Sequence, residues 1–525
     1  MIQVVFLLFV VMTSTYAQKN PHKNITIGTS YEPNEPTIAI HPKDPNILLG
    51  GSNIFNLYRS EDGGKSWEEK TLRSTYGVWG DPVIIADTAG NFYFFHLSNP
   101  EDGNWIDRIV CQKTEDNGKS WTNGSYMGLN GTKAQDKHWA VVDPRTNYIY
   151  VTWTQFDKYG STNPNDKSSI MFSMSKDEAK TWTTAKKINE VDGDCIDSDN
   201  TTEGAVPAIG PNGELYVAWA GPQGLVFDRS LDGGKTWLDK DVLVDPMPSG
   251  WDYAVPGIYR CNGLPITACD ISGGAHNGTV YINWTDQRNG ADDTDVWLAK
   301  SEDQGKTWSK PIRVNNDKPG NQQFFTWMTV DQTTGYLYFV FYDRRGLKGE
   351  QTNVYMARSI DGGQTFVNFK INDKPFYPNK GIFFGDYNNI AVQGDVIRPI
   401  WTRLDDMQLS IKTAIVDITA IPDKNSQVAN VTTPELEDTT KTAVSPLDPN
   451  TLFISFKIPK KSKLTLHLYN EKGRRLKPIF RCKSFEFGKH IEKLNIPDLK
   501  LKKGNYTYQL KHKRKILKER KFEVL

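Results

Sequence analysis

Cysteine is scarce: five in 525 residues, an odd number and too few to staple a chain of this length. A disulfide-built scaffold is excluded, although an oxidising compartment would permit Cys261 to pair with Cys269 or with Cys195. A surplus of either charge is missing too. Lys and Arg total 63 against 62 Asp and Glu, a formal net charge of +1. Proteins that neutralise phosphate backbones need a basic surplus, so no nucleic-acid partner is expected. Long apolar runs are absent after the first residues. There, Val4–Met12 is too short for a bilayer, which needs about 20 residues. It leads to Thr15 and Ala17 in a small-residue cleavage pattern. We therefore expect a signal peptide over residues 1–18, no transmembrane segment, and a protein that is secreted, periplasmic or held at the cell surface. Glycine and tryptophan, by contrast, are plentiful, at 42 and 15 residues. Many tight turns covered by aromatic rings fit an all-β protein better than a cytosolic α/β enzyme. With 38% hydrophobic and 24% charged residues, the chain is not disordered.

Six segments repeat one pattern: Ser60-Glu-Asp62-Gly-Gly64-Lys-Ser-Trp67, then copies centred on Asp116, Asp177, Asp232, Asp303 and Asp361, each closed by Trp or Phe. In such a segment the Asp carboxylate accepts backbone N–H bonds inside a hairpin turn, and Gly supplies positive φ. The aromatic packs beneath. These six Asp residues are expected to be structural. The motif resembles the Asp-box of the sialidase-like β-propellers, and six copies at matching positions make the resemblance specific.

A second repeat lies between the boxes: a short apolar strand, a turn and another apolar strand, beginning at Glu35, Asp81, Lys137, Glu203, Asn262, Trp327 and Asp386. That makes seven units at a period of roughly 60 residues, long for a four-stranded blade. The seventh ends in a strand over Leu409–Ile418 without an Asp-box, and Ile25–Thr29 is available to complete it. The expectation is a seven-bladed β-propeller over residues 24–420, its last blade shared by both ends of the segment. Six blades, as in true sialidases, is the alternative. Residues 421–447 read as a polar linker. Strands over Thr451–Ile458, Lys463–Tyr469, Lys489–Leu494, Tyr506–Lys511 and Lys518–Val524 then make a small, basic, β-sandwich-like domain over 448–525. It is similar to the C-terminal sorting domains of exported bacterial proteins. It reads equally as an accessory domain whose lysines solvate its edges or touch an anionic glycan.

In a propeller the first strand of each blade lines the axis, and its opening residue meets the loop after the second strand on one face. The opening residues are Glu35, Asp81, His138, Glu203, Asn262, Trp327, Asp386 and Tyr387. The loops add Asn53, His96, Gln155, Asp157, Asp286, Arg288, Asp343, Arg344, Arg345 and Arg403. Arg288, Arg344 and Arg403, brought to one rim, would call for an anion. Asp81, Glu203 and Asp386 would bind substrate beside them. His138, His96 and Tyr387 would supply a base and an acid near neutral pH, whereas His41 belongs on the opposite face.

True sialidases carry an Arg-Ile-Pro motif on the first blade; here that strand reads Asn34-Glu35-Pro36-Thr37-Ile38. The departure, with His and Arg at the rim, looks more like the propeller lyases and dehydratases that act on uronate polysaccharides such as ulvan. That resemblance implies β-elimination on an anionic glycan by a monomeric enzyme, with a sugar or water as leaving group. The alternatives are an exo-sialidase or other glycoside hydrolase using a carboxylate pair such as Asp81 and Glu203, and a non-catalytic glycan-binding propeller. No cofactor is required. Asp192, Asp194, Asp197 and Asp199 offer oxygen ligands for Ca²⁺ at a density that a solvated acidic loop also shows.

Overall fold

A computed structural model describes residues 20–422 and most of 451–524; 459–460, 477, 486–487, 497–498, 500 and 514 fall outside it. The expected signal peptide and most of the expected linker lie outside the described residues. Among those described, the chain is all-β with one short 3₁₀ turn, Ile418–Ala420. No helix among them is long and apolar enough to cross a membrane.

Residues 23–415 build seven antiparallel four-stranded sheets, numbered here one to seven in chain order. Sheet 1 runs Thr37–Ile40, Leu48–Ser52, Asn56–Ser60 and Glu68–Thr71. The first strands of sheets 2 to 6 are Val83–Ala86, Ala134–Val142, Glu203–Ile209, Ile266–Cys269 and Gln323–Asp331. Sheet 7 opens with Asn389–Gln393, and its outer edge is closed by the strand Lys23–Gly28, antiparallel to Gln408–Ile415. The opening strands touch in sequence, one to seven and back to one, the arrangement of sheets that makes a β-propeller. A buried cluster of Ile27, Ile38, Leu48, Tyr58, Ile400 and Ile411 seals the junction between the chain's first strand, sheet 1 and sheet 7.

The six boxes are hairpin turns, as their residues require. In the fourth, Asp232 Oδ1 accepts from Lys235 N at 3.0 Å and Thr236 N at 2.9 Å, while Thr236 Oγ1 donates to Oδ2 at 2.7 Å. The box aromatics wedge against neighbouring strands: Trp237 meets Phe172 at 5.1 Å and Trp308 meets Phe227 at 5.0 Å between ring centres. Gly305 shows why glycine sits here. Its φ is +79°, and a Cβ would fall 2.1 Å from Phe227 Cε1. These turns lie with His41 on the face opposite the strand openings. Asp232→Ala should therefore cost about 1 kcal/mol of stability and leave turnover unchanged; thermal midpoints and initial rates measured together check this.

The thiols correct one expectation. All five cysteines are free, so neither pairing of Cys261 occurs; Cys111, Cys195, Cys261 and Cys269 are buried as small apolar groups. A short hairpin, Asp252–Tyr253 with Cys261–Asn262, precedes sheet 5 and was not anticipated. The C-terminal residues form a four-stranded sheet, Phe480–Phe485, Ser462–Asn470, Gly504–His512 and Lys515–Val524 in spatial order, plus a pair, Thr451–Ile458 with Gly488–Asn495. Leu464, Leu466, Leu468, Tyr508 and Leu510 fill its core.

Candidate active site

Five of the seven inner strands open through a tight backbone turn. Glu35, Asp81, Lys137 and Phe325 stand at φ of 52°, 48°, 48° and 50°, and Gly204 takes the matching place in sheet 4 at 82°. Non-glycine residues seldom hold this conformation, which costs about 1–3 kcal/mol each and recurs at functional sites. The repetition turns side chains from different sheets toward one another at the mouth of the ring.

At the centre is a buried ion cluster. Lys137 Nζ donates to Asp386 Oδ2 at 2.7 Å and lies 3.7 Å from Asp81 Oδ2. Arg260, from the long loop before sheet 5, reaches across to Asp386 through Nε at 2.8 Å and through Nη2, and its Nη1 lies 3.4 Å from Asp197. Asn53, from the turn in sheet 1, donates to Glu35 Oε2 and to Asn34 Oδ1, and its own Oδ1 accepts from Asp81 N at 2.8 Å. Tyr159 donates to Asp197 at 2.7 Å.

The carboxyls Glu35, Asp81, Asp136, Asp197, Glu203 and Asp386 thus share the mouth with the cations Lys137 and Arg260. They cannot all ionise in so dry a place, and their environments separate them. Burial pushes Glu35 well above the usual carboxyl range, with neighbouring Asp81 and Asp386 adding to the rise. Burial and the adjacent Asp81 push Asp136 up to about 8. Glu203 rises through burial and the nearby Asp197. For Asp81 burial acts in the same direction, but Lys137, His138 and hydrogen bonds from the protonated Glu35 and Asp136 overcome it and hold the group below its ordinary value. Asp386 is driven lower still against burial by Lys137 and Arg260. One ionised carboxylate, Asp81, therefore sits between two carboxyls that keep their protons.

Beside this cluster lies a small space of about 30 Å³ with an aromatic floor. Trp139 from sheet 3 packs on Trp327 from sheet 6 at 4.4 Å and on Tyr387 at 5.1 Å. Tyr387 OH and both ring nitrogens of His138 are buried without a hydrogen-bond partner. Burial lowers His138 to about 4, which leaves it neutral at ordinary pH.

Asp81, Glu203, Asp386, Tyr387 and His138 lie in one neighbourhood at the mouth. His96 is not available. It is fully buried in the second strand of sheet 2, its Nδ1 2.7 Å from Leu97 O and its Nε2 3.2 Å from Gln112 Oε1. The expected arginine trio is not gathered at the mouth either. Arg288 is bound by Asp286 and Asp245 and lies over Trp297. Arg344 donates to Thr352 Oγ1 and Pro256 O, and Arg403 is held by Asp405 and Lys374 O. Lys137, Arg260 and Asp136 take the places the sequence reading gave to others. Lys137 carried a signal, because it occupies the same position in its repeat as Glu35 and Asp81. The proposed Ca²⁺ loop disperses: Asp192 accepts from Ser169 and Lys187, Asp194 from Thr201, Asp197 from Tyr159, and Asp199 from Asp252 N. Among the described residues no group of three His, Cys, Asp or Glu side chains is arranged to hold a metal ion.

No protein-family model matches this chain, and no curated protein matches it. Solved structures do align. A Hadza microbial sialidase, Hz136, shares 13% identity over 72% of this chain and 75% of its own, with a TM-score of 0.41. The NanB sialidase from Streptococcus pneumoniae shares 10% over 72% and 84%, also at 0.41. An alpha-L-arabinanase from Penicillium chrysogenum shares 16% over 64% and 97%, at 0.40. At such identities and scores, function rests on the residues of the mouth themselves.

Proposed function

We propose that the seven sheets are the blades of one propeller whose mouth hydrolyses glycosidic bonds in an uncharged sugar chain by carboxyl acid–base catalysis. The observation that carries this is the ionised Asp81 flanked by carboxyls that retain protons. Glycoside hydrolysis needs one carboxylic acid to protonate the leaving oxygen and one carboxylate to act on the opposite side of the sugar. Asp136, half-buried and protonated, is the acid; Asp81, which accepts its hydrogen bond, is the carboxylate that keeps it protonated. Lys137 keeps Asp81 charged, Asn53 positions it, and the packed rings of Trp139, Trp327 and Tyr387 support the mouth from within. The export segment and the basic C-terminal unit remain part of this reading as address and accessory.

An anionic substrate is disfavoured by charge. With Glu35, Asp136 and Glu203 neutral, Asp81, Asp197 and Asp386 still outnumber Lys137 and Arg260, and both cations already have partners. A uronate would meet no free cation here. Elimination survives as a second reading on one observation, the ring nitrogens of His138 and the Tyr387 hydroxyl, which are buried without a hydrogen-bond partner. Incubation with neutral and uronate-bearing oligosaccharides separates the two. New reducing ends from a neutral glycan support hydrolysis, ultraviolet absorbance of an unsaturated uronate supports elimination, and silence on every glycan sinks both.

The acid also sets the pH dependence. Asp136 must be protonated to donate, so kcat/KM should fall as pH rises through about 8. Its raised pKa also sets a stability trend: the contribution is fully present below the ordinary carboxyl value, is lost progressively as pH rises from there to about 8, and is gone above it. Asp136→Asn should remove the alkaline limb along with most of the activity; a limb that persists in that variant assigns it elsewhere.

A further inference from the structure

Beside the mouth, on the side of sheets 7 and 1, an open groove holds about 840 Å³. That lies in the upper part of the roughly 300–1,000 Å³ typical of ligand sites. Its aromatic lining is Tyr31, Trp79 and Phe383, and its amides are Asn34, Asn53 and Gln408. Tyr31 is 64% exposed and Trp79 40% exposed, although rings of this size usually bury themselves. The chain holds Tyr31 outward deliberately: Tyr31 and Glu32 both stand in left-handed backbone, φ 60° and 50°, and the Tyr31 ring is braced edge-on by Phe55 at 5.1 Å. Glu32 is the one charged residue among those that line it.

We propose that this groove is a saccharide subsite continuous with the catalytic mouth, so that the enzyme binds several uncharged sugar units at once. The proposal rests on the hydrolytic reading above and extends it from one ring to a chain. Two features choose this occupant. Flat aromatic faces with uncharged amides beside them match the apolar faces and hydroxyls of neutral sugars, whereas phosphates or anionic lipids would need cations that the lining lacks. The groove is also joined to the catalytic carboxyls by a shared residue. Asn53 lines it and holds Glu35 and Asp81 N through its side chain. A sugar chain leaving the mouth on this side passes directly over Asn53 and Asn34 toward Trp79 and Tyr31.

The test uses the full chain carrying Asp81→Asn, so that binding is read without turnover. The probes are gluco-, xylo-, galacto- and arabino-oligosaccharides from dimers to hexamers, titrated by calorimetry. For at least one series, affinity should rise about tenfold or more from dimer to hexamer. Adding Tyr31→Ala or Trp79→Ala should erase that gain while leaving dimer binding in place; both side chains are exposed enough to be removed without loss of the fold. Affinity independent of length, or a hexamer that ignores both substitutions, overturns the subsite. So does self-association of the protein that these substitutions abolish, which would make the groove an interface between copies. Reducing-end release by the unsubstituted chain is scored separately. Cleavage without groove dependence removes the subsite alone, and length-dependent binding without cleavage removes the hydrolytic reading alone.

Discussion

Asp81→Asn should lower kcat by about 10²–10⁴-fold, the contribution expected of a positioned acid or base, and leave the protein folded. The substitution keeps the size of the side chain. It also leaves the backbone N–H that Asn53 accepts, so the left-handed turn at the start of sheet 2 has no reason to change. Lys137 retains its 2.7 Å bond to Asp386. What is lost is the negative charge that completes the chemistry. A second consequence is readable by titration. The Asp81 charge helps to push Asp136 up, so in Asp81→Asn the residual alkaline limb should move to lower pH. kcat, its pH profile and a thermal midpoint on one preparation decide the matter. Turnover within a few-fold of the unsubstituted protein would take the carboxylate role away from Asp81.

The sequence announced its sheets because their turns are chemical signatures. An Asp, a glycine and an aromatic at fixed spacing have one good solution, a hairpin turn, and six copies set the repeat. It announced half of the site for a related reason. Glu203, Asp81 and Asp386 open their repeat units and His138 and Tyr387 come directly after such openings, and neighbouring positions in a repeat become one place on the ring. Arg288 and Arg403 misled because their nearest carboxylates were two residues away, and Arg344 because it donates to Thr352 Oγ1 and Pro256 O instead of entering the mouth. Asp286 with Arg288, Asp343 with Arg345, and Arg403 with Asp405 lie on the same side of an extended chain, and each pair closes locally. The cations that do enter the mouth lack such a neighbour. Arg260 was illegible for a different reason. Its loop has no counterpart in the repeat, and its partner Asp386 lies 126 residues away. In the C-terminal unit, the strand Phe480–Phe485 was missed because two of its six side chains are charged and Arg481, Cys482, Lys483 and Ser484 face water, which leaves little apolar alternation to read.

Lys137→Met should cost about 3 kcal/mol of stability, because removing one partner of a buried ion pair leaves the other without compensation. Lys137 is 7% exposed and Asp386 4%, so water cannot replace the lost ammonium. Methionine fills a similar volume and meets the same φ of 48° as lysine does, which isolates charge from packing and backbone strain. Arg260 still holds Asp386, but with a side chain 40% exposed it is the less buried of the two cations. Asp81, 3.7 Å from Lys137, loses the strongest influence that holds its carboxyl down. The sign with pH follows. A depressed carboxyl adds stability above its ordinary pKa and loses it as pH falls through the depressed value. The lysine protein should therefore exceed the methionine protein most at neutral pH, and the gap should narrow in acid as Asp81 and Asp386 take up protons. Urea midpoints for both proteins, at neutral pH and in acid, measure this directly. A gap that does not change with pH would mean that Lys137 acts through packing of its stem. Kinetics read the same substitution from the other side: with Asp81 easier to protonate, the acid limb of kcat/KM should move to higher pH, which a purely structural role for Lys137 would not produce.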